Sequence, residues 1–365
     1  MTTAASFDYP ARLQRAIAVM DGAGIDALAI SVGSDLPYLT GYHAVANERL
    51  TMAVVTRDAV VLAVPRLEEP RVRHRAGLEV VAWEETQDPL DLVARRLGDA
   101  AVVGVGAETW GRFLLGLQDR LPGTRFVDAT SVLTPLRTIK DVAEVELLRS
   151  AGEAADRVAA RLRKVRFMGR TERDVAHFVA EETVAEGHDS SSFAIVASGP
   201  NAASPHHEPG DRVIAAGDSV VVDFGGKVSG YGSDITRTFH VGEPDGEFHE
   251  AFEVLSEAQE AGVAAAVAGV PASEVDRVVR DRIEDAGLGR FFIHRTGHGI
   301  GLDGHEPPYL VAGNHDLLAP GMVFSVEPGI YVEGRFGMRI EDIVALGAEG
   351  PIRRNNADRS LAVVD

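Results

Sequence analysis

Two aspartates interrupt sequence that otherwise reads as β-strand. In SVVVDFGGKVSGYGSDITRTF, residues 219–239, Asp223 and Asp234 sit among valines, isoleucine, threonines and phenylalanine, where Asp is disfavoured. The Gly-rich stretch between them predicts a turn. A hairpin centred midway, at Val228 and Ser229, would set the two carboxylates directly opposite one another, about 4.5–5.5 Å apart at Cβ. Like charges so placed repel unless a cation lies between them. The same pattern recurs downstream, where Glu327 follows MVFSV, Glu341 lies in MRIEDIVAL, and their midpoint is Gly334 in VEGRFG. Four carboxylates on two hairpins call for divalent cations. One ion would leave charge uncompensated, whereas two, about 3.5–4 Å apart and sharing a bridging water, would not.

Imidazoles complete a mixed set. FFIHRTGHGIGLDGHEPPYL carries His294, His298 and His305, and SPHHEPG carries His206 and His207. His298 lies between Gly297 and Gly299, which leave room for close approach to a metal or substrate. Carboxylates with His favour Mn, Co, Fe or Zn over Ca or Mg. The chain has no cysteine, so thiolate ligands, thiolate nucleophiles and disulfides are excluded. Both histidines in SPHHEPG also read as surface residues of a Pro/Gly loop, and His206 is favoured as the functional candidate by motif position only.

Asp and Glu number 55 against 36 Lys and Arg, a formal net charge of −19, which repels phosphate backbones and anionic lipid. Nucleic acid and membrane are therefore poor partners. MTTAASFDYP has no basic start followed by an apolar run, and no 18-residue apolar stretch occurs, so the expectation is a folded cytoplasmic protein. At 365 residues, two domains are expected. Up to about Thr130, strands alternate with helices, which predicts an α/β domain with a mixed sheet. From Lys140 to Lys164 apolar residues recur at three and four, and helices are also predicted at Thr171–Glu186, Glu247–Ala268 and Ser273–Ala286. Strands are expected at Ser219–Phe224, Ser233–Phe239, Met322–Val326 and Met338–Ala345. Helix and strand blocks are partly segregated here, which predicts an α+β domain with a curved antiparallel sheet. The linker is placed at Pro135–Lys140, giving domains 1–138 and 139–365.

The order Asp223, Asp234, His298, Glu327, Glu341, within SDITRTF, TGHGIGL, EPGIY and RIED, resembles the pita-bread metallopeptidases that cleave Xaa-Pro bonds: prolidases and aminopeptidases P. PYLTGYHAVANERL and RTIKDVAEVELLRSA are similar to that family's N-terminal domain and its junction. The resemblance implies an α/β creatinase/prolidase-like domain followed by an α+β catalytic domain of creatinase/aminopeptidase fold, acting on short proline-containing peptides as a homodimer. It implies Asp223 on one metal, Asp234 and Glu341 bridging, and His298 and Glu327 on the other. The metals would be two divalent ions, Mn first, with Co or Zn as alternatives. A hydroxide bridging them would attack the carbonyl, with Glu327 orienting or deprotonating the water. His305 and His206 would hold the scissile carbonyl and the tetrahedral intermediate, His294 and Tyr231 would line the pocket, and Arg339 would brace the metal-site carboxylates.

One departure stands out. Family dipeptidases often carry an arginine four residues after the His305 position to grip the dipeptide's carboxylate, and here that residue is Tyr309. A hydroxyl does not replace a bidentate guanidinium. Either longer peptides are taken, as by aminopeptidases P, or another cation reaches the site, for which Arg49 on a dimer partner's small domain is a candidate. From other classes, a metal-free creatinase-like hydrolase and a non-catalytic peptidase-like binding module remain, but both resemble members whose ligand positions are replaced. The string Gly299-Ile-Gly301-Leu-Asp-Gly304 matches a dinucleotide fingerprint as text, yet Pro307 and Pro308 forbid the helix it needs.

Overall fold

The computed structural model describes residues 7–72 and 76–365. Residues 1–6, part of the stretch read as carrying no secretion signal, lie outside the described residues. The chain divides into two compact units, Met1–Arg137 and Thr138–Asp365.

The first unit holds a six-stranded mixed sheet in the order Glu79–Trp83, Val60–Pro65, Met52–Thr56, Ala27–Ile30, Val102–Val105, Arg125–Asp128. Local chemistry sets the helix ends. The helix Tyr9–Ala23 starts where the Asp8 carboxylate accepts from the Ala11 amide and stops at Gly24 in the left-handed conformation. Leu97, Phe113 and Leu117 from two later helices pack with Ala27, Val54 and Val103 of the sheet. Two helices escape the sequence reading. Asp35–Thr40 is short and wholly buried apart from its first residue. Thr130–Thr138 runs through Pro135, so most of the expected linker is helical.

In the second unit, the helix Val142–Leu162 is opened by a capping box of Asp141 and Glu144, and Glu172–Ala185 by one of Thr171 and Asp174. Both bury apolar faces on a sheet ordered Ala362–Val364, Ile235–Val241, Ser219–Val228, Ser190–Ser198. The helices Gly246–Ala265 and Ala272–Asp285 cover a second sheet ordered Glu306–Leu310, Gly297–Gly299, Val323–Val326, Asp342–Leu346, Pro351–Arg353. The expected curved antiparallel sheet is thus in pieces, and one pair, Phe239–Val241 with Ala362–Val364, is parallel. Thr236 and Glu341 form an isolated bridge between the pieces.

Register decides where the acids go. Lys227 pairs with Gly232 and Val228 with Tyr231, closed by Ser229 and Gly230, whose φ angles of 50° and 87° suit a two-residue turn. The turn is centred one residue later than the midpoint of the aspartates, so Asp223 faces Thr236 instead of Asp234. The slip moves the partner by two positions. Side chains alternate with period two, so Asp234 stays on the face of Asp223 as its diagonal neighbour. The second hairpin is centred on Gly334, with Val332 opposite Phe336 and Gly329 opposite Arg339. Val326 opposite Asp342 continues that register in the neighbouring sheet. The expected strand Met338–Ala345 is therefore two strands, Phe336–Arg339 and Asp342–Leu346, and Glu327 and Glu341 face each other across the break.

The strand Phe336–Arg339 lies hard against residues 199–203. A Cβ on Gly337 would stand 1.8 Å from the Ala202 carbonyl oxygen, a backbone atom that has little room to yield. Gly337→Ala is expected to lower stability by about 1–3 kcal/mol, the usual cost of overpacking. Denaturant midpoints check this. An unchanged midpoint would show that the strand is not held at that distance.

Candidate metal centre and active site

The five sequence-derived ligands converge. Asp223, Asp234 and Glu341 each offer an atom within 4.8 Å of the others, and so do His298, Glu327 and Glu341. Asp234 also groups with His298 and His305. Glu341, Asp234 and His298 each belong to two groups, and of these the two carboxylates, with two oxygens each, have the donors that bridging needs. All but Glu327 are almost fully buried, Glu341 to 1% exposure. The glycines around His298 serve the strands more than a ligand: a Cβ on Gly297 would meet the Ser325 carbonyl oxygen at 2.0 Å, and on Gly299 the Pro307 carbonyl oxygen at 2.3 Å.

Crowding shows in the electrostatics. Burial, then the charges of Glu341, Asp223 and Glu327, push the Asp234 carboxyl well above its ordinary range, and burial with Glu327 and Asp223 does the same to Glu341. Burial would also raise Glu327, but the His298 imidazole beside it wins and brings it down to about 2. His298 Nδ1 lies 3.1 Å from the Gly299 carbonyl and donates to it, which turns Nε2 toward Glu327 Oε1 at 3.2 Å and Asp234 Oδ2 at 3.8 Å. A neutral Nε2 facing carboxylate oxygens needs a proton or a cation between them.

Residues behind the acids hold the cluster. Arg339 donates to Asp223 Oδ2 at 2.6 Å, Thr236 Oγ1 at 3.0 Å and the Tyr331 hydroxyl at 2.9 Å. It thus braces one carboxylate of the cluster. Thr236 donates to Glu341 Oε2, and Ser325 links the His298 amide to Glu327 Oε1. Thr236 and Tyr331 stand in the quoted motifs SDITRTF and EPGIY, but nothing in their spacing marks them. Glu172 is fully buried and accepts from the Ser198 amide and hydroxyl, Asn201, His207 and the Gly210 amide. His207 therefore pins the loop that carries Pro205 and His206.

Above the cluster opens a cavity of about 710 Å³. His206, His294, His305 and Arg339 line it, together with the apolar Phe193, Ile195 and Ile293 and the cation Arg295. His294 lies 2.9 Å from the Tyr331 hydroxyl. His305 stacks on His298 with ring centroids 3.7 Å apart, and Arg295 Nη2 lies 3.0 Å from His305 Nδ1. A guanidinium only donates, so Nδ1 accepts and Nε2 carries the proton. Burial, then His298, draws the His305 imidazole down to about 4, which keeps it neutral above that pH. Two expected pocket residues are elsewhere. Tyr231 is not among the lining residues and donates to Glu144 at 2.8 Å. Tyr309 is likewise absent from the lining, and its ring carries the Arg295 guanidinium at 4.4 Å. Arg49, in the first unit, is held by Glu48 and Glu85.

The cluster fits divalent metal. Asp223 Oδ1 and Glu341 Oε1 are buried with no hydrogen-bond partner. Hard oxygen donors with one imidazole suit Mn, Co, Fe or Zn.

Known proteins share this arrangement of chain. Residues 146–348 match the family model of metallopeptidase family M24, and residues 12–139 match the creatinase/prolidase N-terminal domain. A probable dipeptidase, PepE, of Mycobacterium tuberculosis is 46% identical over 98% of this chain and 96% of its own length. An Xaa-Pro dipeptidase of Pyrococcus furiosus is 32% identical over 96% of this chain and 99% of its own. The crystal structure of a Thermococcus sibiricus prolidase superposes with a TM-score of 0.93, at 38% identity, covering 98% of this chain and 99% of that one.

The repulsion has a measurable sign. Because Asp234 is held above its unfolded value, near 3.9, folding binds its proton, and that contribution to stability is lost as pH rises from about 4 toward the folded value. Without metal, wild type is expected to lose ground to Asp234→Asn as pH rises from 4 to 8. With metal at pH 8 the order should reverse, since the ion stabilises only the intact site. Denaturation curves with chelator and with Mn check both. A gap that stays constant with pH would refute the repulsion.

Proposed function

The chain belongs to metallopeptidase family M24, and on that premise we propose that it hydrolyses the peptide bond preceding proline in dipeptides. Asp223, Asp234, His298, Glu327 and Glu341 would hold two divalent cations, manganese first. The observation that carries this is the buried convergence of four carboxylates and one imidazole beneath an open cavity, with two carboxylate oxygens left unpartnered. The relatives' names supply proline: an Xaa-Pro dipeptidase and a prolidase. In this reading residues 139–365 are the catalytic domain and 1–138 the smaller N-terminal domain.

Bound cations supply Lewis-acid polarisation of the scissile carbonyl and a water more acidic than bulk. The chain does the rest. Glu327, the one ligand not fully buried, takes the proton of the attacking water and returns it to the departing proline nitrogen. His305 offers Nε2–H, and His206 a second imidazole, to the carbonyl oxygen as negative charge builds on it. Phe193, Ile195 and Ile293 give an apolar wall for the pyrrolidine ring. A second reading, an Xaa-Pro aminopeptidase acting on longer peptides, is favoured by Tyr309 standing where the resemblance puts a carboxylate-binding arginine.

Turnover of an Xaa-Pro dipeptide against the matching Xaa-Pro-Xaa tripeptide separates the two. The dipeptide is expected to be the better substrate, with activity lost to chelator and restored by Mn. Glu327→Gln is expected to lower kcat by about 10²–10⁴. A chelator-resistant activity would overturn the metal reading, and a better tripeptide would hand the function to the second one.

A further inference from the structure

The cavity is lined by two arginines, and they differ in what they are tied to. Arg339 is 3% exposed and donates to Asp223, Thr236, Tyr331 and the Pro205 carbonyl. Four of its five donors are thus engaged, and it is buried behind the carboxylates it braces. Arg295 is half-buried in the same wall, and among the described residues no carboxylate pairs with it. Its recorded contacts are the neutral Nδ1 of His305 and the ring of Tyr309. A guanidinium has five donors, and a single imidazole nitrogen engages one of them.

Its position is also defined. Tyr309 lies opposite His298 across the strands Gly297–Gly299 and Glu306–Leu310, and its ring is the platform on which the guanidinium rests. Stacking of this kind immobilises the fork before a ligand arrives. His305, which Arg295 touches, is in turn stacked on His298. The free cation thus stands one imidazole's width beyond the metal-ligand ring. A dipeptide whose scissile carbonyl lies over the cluster carries its free carboxylate one residue further, at most about 3.8 Å along the chain. Arg295 attracts that carboxylate.

We propose that Arg295, seated on Tyr309, receives the free α-carboxylate of an Xaa-Pro dipeptide and thereby selects dipeptides over longer or amidated peptides. This rests on the Xaa-Pro dipeptidase reading above. It names a cation in the chain's own catalytic unit, in place of Arg49, whose charge is already taken by Glu48 and Glu85. Tyr309 is then the support of the specificity arginine: the cation that the resemblance expects at 309 is delivered by residue 295.

The test compares an Xaa-Pro dipeptide with its Xaa-Pro amide, which lacks the carboxylate, on metal-loaded wild type, Arg295→Gln and Arg295→Lys. The glutamine keeps a donor for His305 Nδ1 but has no charge. Wild type is expected to favour the acid, and Arg295→Gln to lower the acid-to-amide ratio of kcat/KM by roughly 10- to 100-fold, the range for losing a charge-assisted hydrogen bond. Arg295→Lys should recover part of the ratio. A loss equal on acid and amide would show that Arg295 acts through His305 alone and would overturn the inference while leaving the dipeptidase reading intact. Calorimetric binding of L-proline against L-prolinamide to the same proteins decides independently of turnover. Tighter proline binding in wild type that disappears in Arg295→Gln supports the carboxylate site even if tripeptides prove the better substrates, and equal binding of the two ligands by wild type overturns it.

Discussion

Much of the catalytic unit answers one electrostatic problem: four carboxylates are buried around a single point. Two unit charges about 4 Å apart repel by about 4 kcal/mol at an effective dielectric near 20, and the cluster contains several such pairs. The protein offsets part of this with its own groups. Arg339 neutralises one side of Asp223, Thr236 caps one oxygen of Glu341, and the upward displacement of Asp234 and Glu341 lets protons do the rest when metal is absent. What remains uncompensated points inward, at Asp223 Oδ1 and Glu341 Oε1. The cluster is therefore stable only where surrounding structure forbids the carboxylates to spread.

That restraint comes from behind the ligands. Asp342, beside Glu341, is fully buried and receives Arg237, Arg353 and Arg359. Arg237 also donates to the Glu341 carbonyl at 2.7 Å, and the Glu341 amide donates to the Thr236 carbonyl at 3.2 Å, so the backbone carrying this acid is clamped on both sides of its Cα. Asp276 holds the Thr296 amide and hydroxyl, which fixes the segment carrying His294, Arg295 and His298. Glu172 fixes the loop carrying His206. Each anchor is a buried charge with its hydrogen bonds filled, and removing one partner would strand the other. Geometry at the site is thus set by ionic restraints one layer out, beyond the reach of anything that enters the cavity.

The clustered acids were legible because a charge inside a strand-forming run is locally unfavourable and demands a partner. Placing them relative to one another was harder. Gly334 was found as the centre of the second hairpin, but the first was misplaced by one residue, because the positive-φ pair Ser229–Gly230, and not the midpoint of the acids, closes the turn. The strand expected at Met338–Ala345 broke at Ile340 and Glu341 because each half pairs in a different sheet, a tertiary fact with no local mark. Arg295 and Tyr331 were invisible for a related reason. Neither interrupts a pattern, and each matters only through what lies opposite it after folding. His207 looked like a surface histidine because Glu172, its partner, is 35 residues away at the start of a helix.

His305 ties recognition to chemistry. Its Nδ1 accepts from Arg295, so the proton sits on Nε2, the nitrogen available to a carbonyl in the cavity. A hydrogen bond accepted at one ring nitrogen from a cation polarises the ring and strengthens the donor at the other. A substrate carboxylate seated on Arg295 would add to the contacts with Tyr309 and His305 that already hold the guanidinium in place. Binding energy from a group remote from the scissile bond would then be expressed where charge develops in the transition state, which is where it raises kcat as well as affinity. The apolar wall of Phe193, Ile195 and Ile293 cannot make such a distinction alone, because hydrophobic contact grips a pyrrolidine ring equally well whether or not the chain continues beyond it.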